Sequence, residues 1–388
     1  MTLAQAFLQR YKTPPTLFRA PGRVNLIGEH TDYNNGFVFP AAIDFYTHVA
    51  AAPRIDSKLV VYSENYGEEV EIDLRDSALT PRRHWSDYVG GVAWILLGTG
   101  HQISGAHLLI ESNVPLGAGL SSSAALEVAV ASALLGISGV SIPSLQLAQL
   151  CQRAENEFVG ARCGIMDQFI SVHAQPETAL LLDCRSLEYQ LFPIASGYTL
   201  VACNTMVKHD LASGAYNQRR AECEEGVRRL SAVLPHVQSL RDVTPEELSR
   251  NSKALPDTVL KRCRHVITEN DRVVQASRCL SKHDVAGFGD LMAESHRSLR
   301  DDYEVSCAEL DLMVEIAGRA EGAVGSRMTG GGFGGCTINL VRSESVPQFR
   351  DQVSTEYHKQ TGRLPEIYVS RPAGGAGQVP IPGAPLKA

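Results

Sequence analysis

The stretch Pro115-Leu-Gly-Ala-Gly-Leu-Ser-Ser-Ser-Ala-Ala125 joins a glycine-rich turn to an alanine-rich helix, and no other segment constrains the fold and its chemistry so closely. Gly117 and Gly119 are free to take positive φ and carry no Cβ to obstruct a close approach, while Ser121, Ser122 and Ser123 bring hydroxyls to the helix start. From Ala124 to Leu135 the residues are strong helix formers, with Gly136 as the expected stop. A helix entered in this way aims backbone N–H groups and the positive end of its dipole at the loop, which suits bound phosphate. A serine-capped turn without a ligand is the alternative, although three consecutive serines exceed what a cap needs. The lysine of a Walker A loop is missing, and so are the His-Arg-Asp and Asp-Phe-Gly sets of protein kinases.

At 388 residues the chain is too long for one ordinary core, so two domains are expected. A hydrophobic content of 44% with 20% charged residues is that of a globular protein, and the net charge of -7 argues against a general nucleic-acid binder. Nine cysteines without a Cys-x-x-Cys pair read as reduced, mostly buried thiols. The twelve histidines show no zinc-type spacing. The first ten residues are too polar for a signal peptide, and no apolar run approaches the roughly 20 residues of a membrane span. A cytoplasmic location is therefore expected, without a membrane or an obligate protein partner.

Strands are expected at 59–63, 70–74, 106–111, 179–183, 198–203 and 336–341. Helices are expected at 144–158, 216–234, 256–280, 284–299 and 310–321. The punctuation places a junction near 185–197, giving an N-terminal α+β domain over 1–190 and a C-terminal α+β domain over 191–371. The Gly/Pro/Ala-rich remainder, 372–388, reads as a flexible tail.

Three further segments carry chemistry. Gly22-Arg-Val-Asn-Leu-Ile-Gly-Glu-His-Thr-Asp-Tyr33 packs a cation and several acceptors into a short span, as a polyhydroxylated ligand requires; a hairpin turning at Asn35-Gly36 with solvated charges is the alternative. In Cys163-Gly-Ile-Met-Asp-Gln-Phe169, Asp167 is either a reacting carboxylate or the cap of a helix starting at Gln168. Met328-Thr-Gly-Gly-Gly-Phe-Gly-Gly-Cys-Thr337 lies between an expected helix and an expected strand, so it reads as a close-approach loop more than a linker.

The serine loop is similar to the Pro-x3-Gly-Leu-x-Ser-Ser-Ala pattern of the small-molecule kinases that group galactokinase, homoserine kinase, mevalonate kinase and phosphomevalonate kinase, the GHMP kinases. The segment Gly22–Tyr33 resembles the galactokinase signature almost letter for letter, with Asn35 where many relatives have a second glycine. The likeness runs from Phe18 to about Ser370. It implies a two-domain α+β GHMP kinase fold, its C-terminal domain on a ferredoxin-like plan and its active site in the interdomain cleft. It further implies ATP-dependent phosphorylation of α-D-galactose at C1, the entry step of galactose catabolism, with Mg²⁺.

By that resemblance Asp167 and Arg23 are the catalytic pair, and Glu29, His30, Asp32, Gly164 and Tyr216 bind the sugar. ATP is expected on Pro115, Gly117, Ala118, Gly119, Leu120, Ser121, Ser122, Ser123 and Ala124, with Trp85 beside adenine or in the core. Ser123 and Glu155 are the implied metal ligands. Glu157 points about 200° from Glu155 on a helix, so both cannot face the site, and a solvated helix charge is the alternative for either. The alternatives are a non-catalytic galactose and ATP sensor, disfavoured by the intact loop and carboxylate, and a kinase for N-acetylgalactosamine or another sugar.

Overall fold

Strand Thr16–Asn25 organises the N-terminal half. It pairs antiparallel with Pro40–Pro53, and the register shifts between Pro21 and Arg23, where proline cannot donate to the ladder. Gly22 lies within this shift, and a Cβ there would sit 2.7 Å from the Leu120 carbonyl oxygen, so the serine loop can rest directly on the strand. The full six-stranded sheet has the spatial order Gly377–Val379, Thr16–Asn25, Pro40–Pro53, Ala106–Ser112, Lys58–Ser63, Glu68–Asp73. Only Lys58–Ser63 and Ala106–Ser112 run parallel. The alanine-rich helix Ser122–Ile137 packs on this sheet, its small side chains permitting close approach. The computed structural model from which this is read describes residues 1–76, 79–208 and 212–380.

A second sheet, in the order Ala323–Met328, Gly334–Arg342, Tyr198–Lys208, Glu366–Ser370, is antiparallel throughout and carries helices Ala308–Arg319 and Val346–Thr361. A small third sheet joins Phe37–Val38, Thr178–Asp183 and Tyr189–Pro193. One apolar core runs between the halves: Val24, Ile27 and Phe39 of the first pack with Leu200, Phe288 and Ile338 of the second. Continuous burial across this junction fixes the two halves against each other and so shapes the cleft.

Several expectations are corrected. Tyr189–Pro193 lies inside the region read as a junction, yet it pairs with Thr178–Asp183. The tail read as flexible from Pro372 is ordered to residue 379: Pro372 bridges Ile43, Ala373 is buried, and Gly377–Val379 adds to the large sheet as its edge strand. Residues 381–388 lie outside the described residues. Gly136 does not end its helix, which continues to Ile137; a Cβ at 136 would meet the Phe18 ring at 2.5 Å, so the glycine serves packing. The expected helix before the glycine run is instead followed by strand Ala323–Met328, which makes the run a hairpin loop. Among the described residues no helix is long and apolar enough to cross a membrane.

Candidate active site

The loop before the alanine-rich helix adopts the conformation its glycines permit, with φ of 66° at Gly117 and 77° at Gly119. Ser121 is also left-handed, at φ 59° and ψ 47°, and although it occupies the N-cap its hydroxyl makes no capping bond. That hydroxyl instead donates to Oδ2 of Asp167. Asp167 lies in the first turn of helix Met166–His173, which starts one residue before it and receives no side-chain cap, so the capping role does not apply.

Arg23 grips the same carboxylate in a fork, Nε to Oδ1 and Nη2 to Oδ2, both at 2.8 Å, while Nη1 donates to the Gly119 carbonyl at 2.7 Å. Burial alone would lower the Arg23 pKa, but the charges of Asp167 and Glu29 outweigh it, and the guanidinium is held more firmly cationic than usual. A cation, an acid and the loop backbone are thus joined in one rigid cluster.

Beside this cluster opens a cavity of about 440 Å³ whose wall includes Arg23, Glu29, His30, Asp32, Gly164, Asp167 and Tyr216, every residue singled out from the sequence for sugar and catalysis. Burial, reinforced by the charge of Asp167, pushes the Asp32 carboxyl up to about 7. A Cβ on Gly164 would overlap Asp32 Oδ2, so this position admits only glycine while Asp32 stays in place. His30, at φ 63°, bonds through Nδ1 to the Tyr33 hydroxyl at 2.8 Å. Its buried Nε2 has no partner among the described residues. Burial, then the charges of His265 and Arg219, lowers its pKa to about 3, so the ring is neutral near pH 7.

Glu29 is committed to the protein as well as to the cavity. Its Oε1 accepts from Gly330 N at 2.7 Å and Thr329 Oγ1 at 3.0 Å and pairs with Arg327 at 3.4 Å, whereas Oε2 accepts from Asn25 at 2.9 Å. Thr329 and Gly330 begin the glycine loop of the C-terminal half, so Glu29 ties that loop to the N-terminal signature. The same loop presses on the serine loop: a Cβ at Gly330 would stand 3.1 Å from the Gly119 carbonyl oxygen.

A second cavity, about 960 Å³, lies on the other side of the serine loop and is lined by Gly117, Ser122, Ser123, Trp85, Tyr66 and Tyr88, among others. Trp85 stacks on Tyr66 with centroids 5.5 Å apart and planes 6° from parallel, and its Nε1 donates to Glu68 at 3.1 Å. It therefore serves both as cavity wall and as part of the core. Ala118, Leu120 and Ala124 are buried beneath the loop and Pro115 is half-buried, so their side chains support it from behind and do not face this cavity.

Ser123 and Glu155 are brought together. Glu155 sits on a π-helical turn, Ala154–Val159, of the kind that recurs at functional sites, and replaces the last turn of the continuous helix expected over 144–158. Glu157 points outward and pairs with Arg153 at 2.7 Å, which leaves Glu155 as the inward carboxylate. Burial raises the Glu155 pKa, as does Asp167, against hydrogen bonds from Cys163, Ser123 and Gln168.

Sequence reasoning missed the neighbour Glu127. It is fully buried, its Oε2 takes a bond from Gln168 at 3.0 Å, and its Oε1 is unpartnered among the described residues. Burial, then Glu155, drives its pKa well up. Its place within an apolar helix face was the only available signal. A hydroxyl and a carboxylate beside a cavity that opens on a phosphate-type loop form an oxygen donor set suited to Mg²⁺ that keeps several waters, and a cation there would favour the ionised form of the buried carboxyls. Among the described residues no three His, Cys, Asp or Glu side chains form a closed metal cage.

The chain matches the galactokinase galactose-binding signature over residues 5–53, the N-terminal domain of GHMP kinases over 87–175 and their C-terminal domain over 276–359. It is 48% identical over 378 residues to a galactokinase of Roseiflexus sp. (strain RS-1), covering 97% of this chain and 96% of that one. It is also 48% identical over 375 residues to a galactokinase of Chloroflexus aggregans (strain MD-66 / DSM 9485), covering 96% of each. Among solved structures, the Lactococcus lactis galactokinase complexed with galactose superposes with a TM-score of 0.94 at 38% identity, over 97% of this chain and 99% of that one. Near-complete coverage, a matching fold and a signature whose residues converge on one cavity lead to one assignment: the chain belongs to the galactokinase family of GHMP kinases.

Proposed function

We propose that the chain transfers the γ-phosphoryl group of MgATP to the C1 hydroxyl of α-D-galactose, giving galactose 1-phosphate and ADP. The observation that carries this reading is the position of the Arg23–Asp167 pair, which walls the smaller cavity and is bonded to Gly119 and Ser121 of the serine loop. A sugar in the smaller cavity and a triphosphate along the loop would meet at this pair.

Asp32, Glu29 Oε2, the unpartnered Nε2 of His30 and the Tyr216 ring supply the mix of acceptors, one ring nitrogen and an apolar face that a pyranose requires. Asp167 receives the hydrogen bond of the acceptor hydroxyl and orients its oxygen. Arg23 stabilises charge on the phosphoryl group as it passes through a loose transition state. Alignment within a fixed frame supplies much of the rate, because the pair, the loop and the strand are already bonded to one another. Ser123 and Glu155 would hold Mg²⁺, which when bound neutralises phosphate charge. The stacked Trp85 and Tyr66 offer an aromatic surface for the base.

The test is turnover of ATP against galactose, N-acetylgalactosamine, glucose and arabinose, with galactose binding measured by calorimetry. Galactose should be turned over fastest. Binding of galactose without turnover would indicate a sensor, and faster turnover of another sugar would move the specificity.

A further inference from the structure

The serine loop contains a residue whose backbone and side chain both contradict the simple role its position suggests. Ser121 stands at the N-cap of helix Ser122–Ile137, where a serine ordinarily closes the helix with its hydroxyl, yet no such bond is made. Its backbone is left-handed, at φ 59°, a conformation that glycine adopts freely and other residues disfavour. A serine kept in a glycine conformation without capping must be held for its side chain, and such local strain gathers where function requires it. The residue is buried, and its hydroxyl donates to Asp167 Oδ2.

The resulting bond pattern is asymmetric. Oδ2 receives both Ser121 and Arg23 Nη2, whereas Oδ1 receives Arg23 Nε alone. Ser121 and Gly119 also attach the loop at two points to the Arg23–Asp167 pair, so loop and carboxylate cannot move independently.

We propose that Ser121 is a positioning residue for phosphoryl transfer: its hydroxyl locks Asp167 so that Oδ1, which accepts only from Arg23 Nε, can take a second hydrogen bond from the acceptor hydroxyl, and it sets the loop that carries the donor at a fixed distance from it. This rests on the kinase reading above. It assigns Ser121 to the alignment of donor with acceptor, not to the affinity for ATP.

The test compares Ser121→Gly and Ser121→Ala with the wild-type chain for kcat, for KM of galactose and of ATP, and for thermal midpoint. Ser121→Gly should lower kcat roughly 10- to 100-fold with both KM values within about threefold, since alignment is lost and binding is kept. Its thermal midpoint should equal or exceed that of the wild type, because glycine relieves the backbone, while Ser121→Ala should lose the same kcat with a lower midpoint. In an Asp167→Asn background, adding Ser121→Gly should cost less than about threefold more, because the serine acts through that carboxylate.

A kcat within twofold of wild type in Ser121→Gly would overturn the proposal while leaving the kinase reading intact. So would a loss confined to KM for ATP, or losses that multiply fully in the double variant. A wild-type chain inactive on galactose would overturn the kinase reading and this proposal with it.

Discussion

Replacing Asp32 with asparagine should stabilise the empty protein while it weakens the site. The Asp32 carboxyl is pushed from its ordinary 3.8 to about 7, first by burial and then by the nearby charge of Asp167. The folded chain therefore keeps this proton up to about pH 7, whereas the unfolded chain releases it near pH 4. Across that window the contribution to stability is greatest at the acidic end, falls as pH rises, and is flat above about 7. At about 1.4 kcal/mol per pH unit, the whole gap is worth about 4 kcal/mol. The side chain lies on an open cavity and is only partly shielded from solvent, so about half of that, ~2 kcal/mol, is the expected effect.

The Asp32→Asn side chain would retain an oxygen for the bond that Asp32 Oδ1 accepts from Tyr33 N at 2.9 Å, so the backbone should stay in place. Urea unfolding of wild type and Asp32→Asn at pH 8 and pH 5 reads the difference. The variant should be the more stable by ~2 kcal/mol at pH 8 and by less than about 1 kcal/mol at pH 5. Calorimetry should show weaker galactose binding at both. A variant no more stable than wild type at pH 8, or stabilised equally at both pH values, would refute the reasoning.

Other consequences are equally direct. Asp167→Asn should lower kcat by at least roughly 10³-fold while galactose binding stays measurable by calorimetry; near-normal turnover would remove Asp167 from the reaction. Glu155→Gln should raise the Mg²⁺ concentration needed for half-maximal rate and weaken Mn²⁺ binding, read by electron paramagnetic resonance in the presence of ATP, whereas Glu157→Gln should change neither. Gly136→Ala places a methyl 2.5 Å from the Phe18 ring and should cost about 1–3 kcal/mol, with Phe18→Leu restoring part of it. Unchanged unfolding of Gly136→Ala would show that the helix moves away freely.

What is legible in the sequence is local. The serine loop declares itself because its glycines need positive φ and its helix formers follow at once, and the density of charge in Arg23–Asp32 marks a site before any strand is known. Strands such as Lys58–Ser63 and Ala106–Ser112 announce themselves where a β-branched or leucine run meets a turn. The missing parts depend on partners distant in the chain. Gly377–Val379 is a strand only because Leu17–Arg19 offers an edge to it, and its Gly/Pro surroundings conceal this. Tyr189–Pro193 likewise needs Thr178–Asp183.

The site shows the same division. Asp32, Gly164 and Asp167 can be identified by motif, but the reason Gly164 must be glycine appears only when Asp32 is folded against it. Glu127 and Gln168 form a buried pair across two helices that no spacing rule predicts, and Thr329 reaches Glu29 from the opposite domain. That Glu155 and Glu157 face opposite ways follows from their spacing, but the π-helical turn Ala154–Val159 that carries them, and which of the two turns inward, appear only in the folded chain.

The central claim is direct transfer to the anomeric oxygen at the Arg23–Asp167 pair, and its most direct measurement is ³¹P NMR of the product formed from galactose and MgATP. The account predicts one new phosphomonoester resonance, split by the anomeric proton and accompanied by an equal amount of ADP. A phosphate coupled to the C6 protons, or ATP hydrolysed to inorganic phosphate with the sugar unchanged, would contradict it.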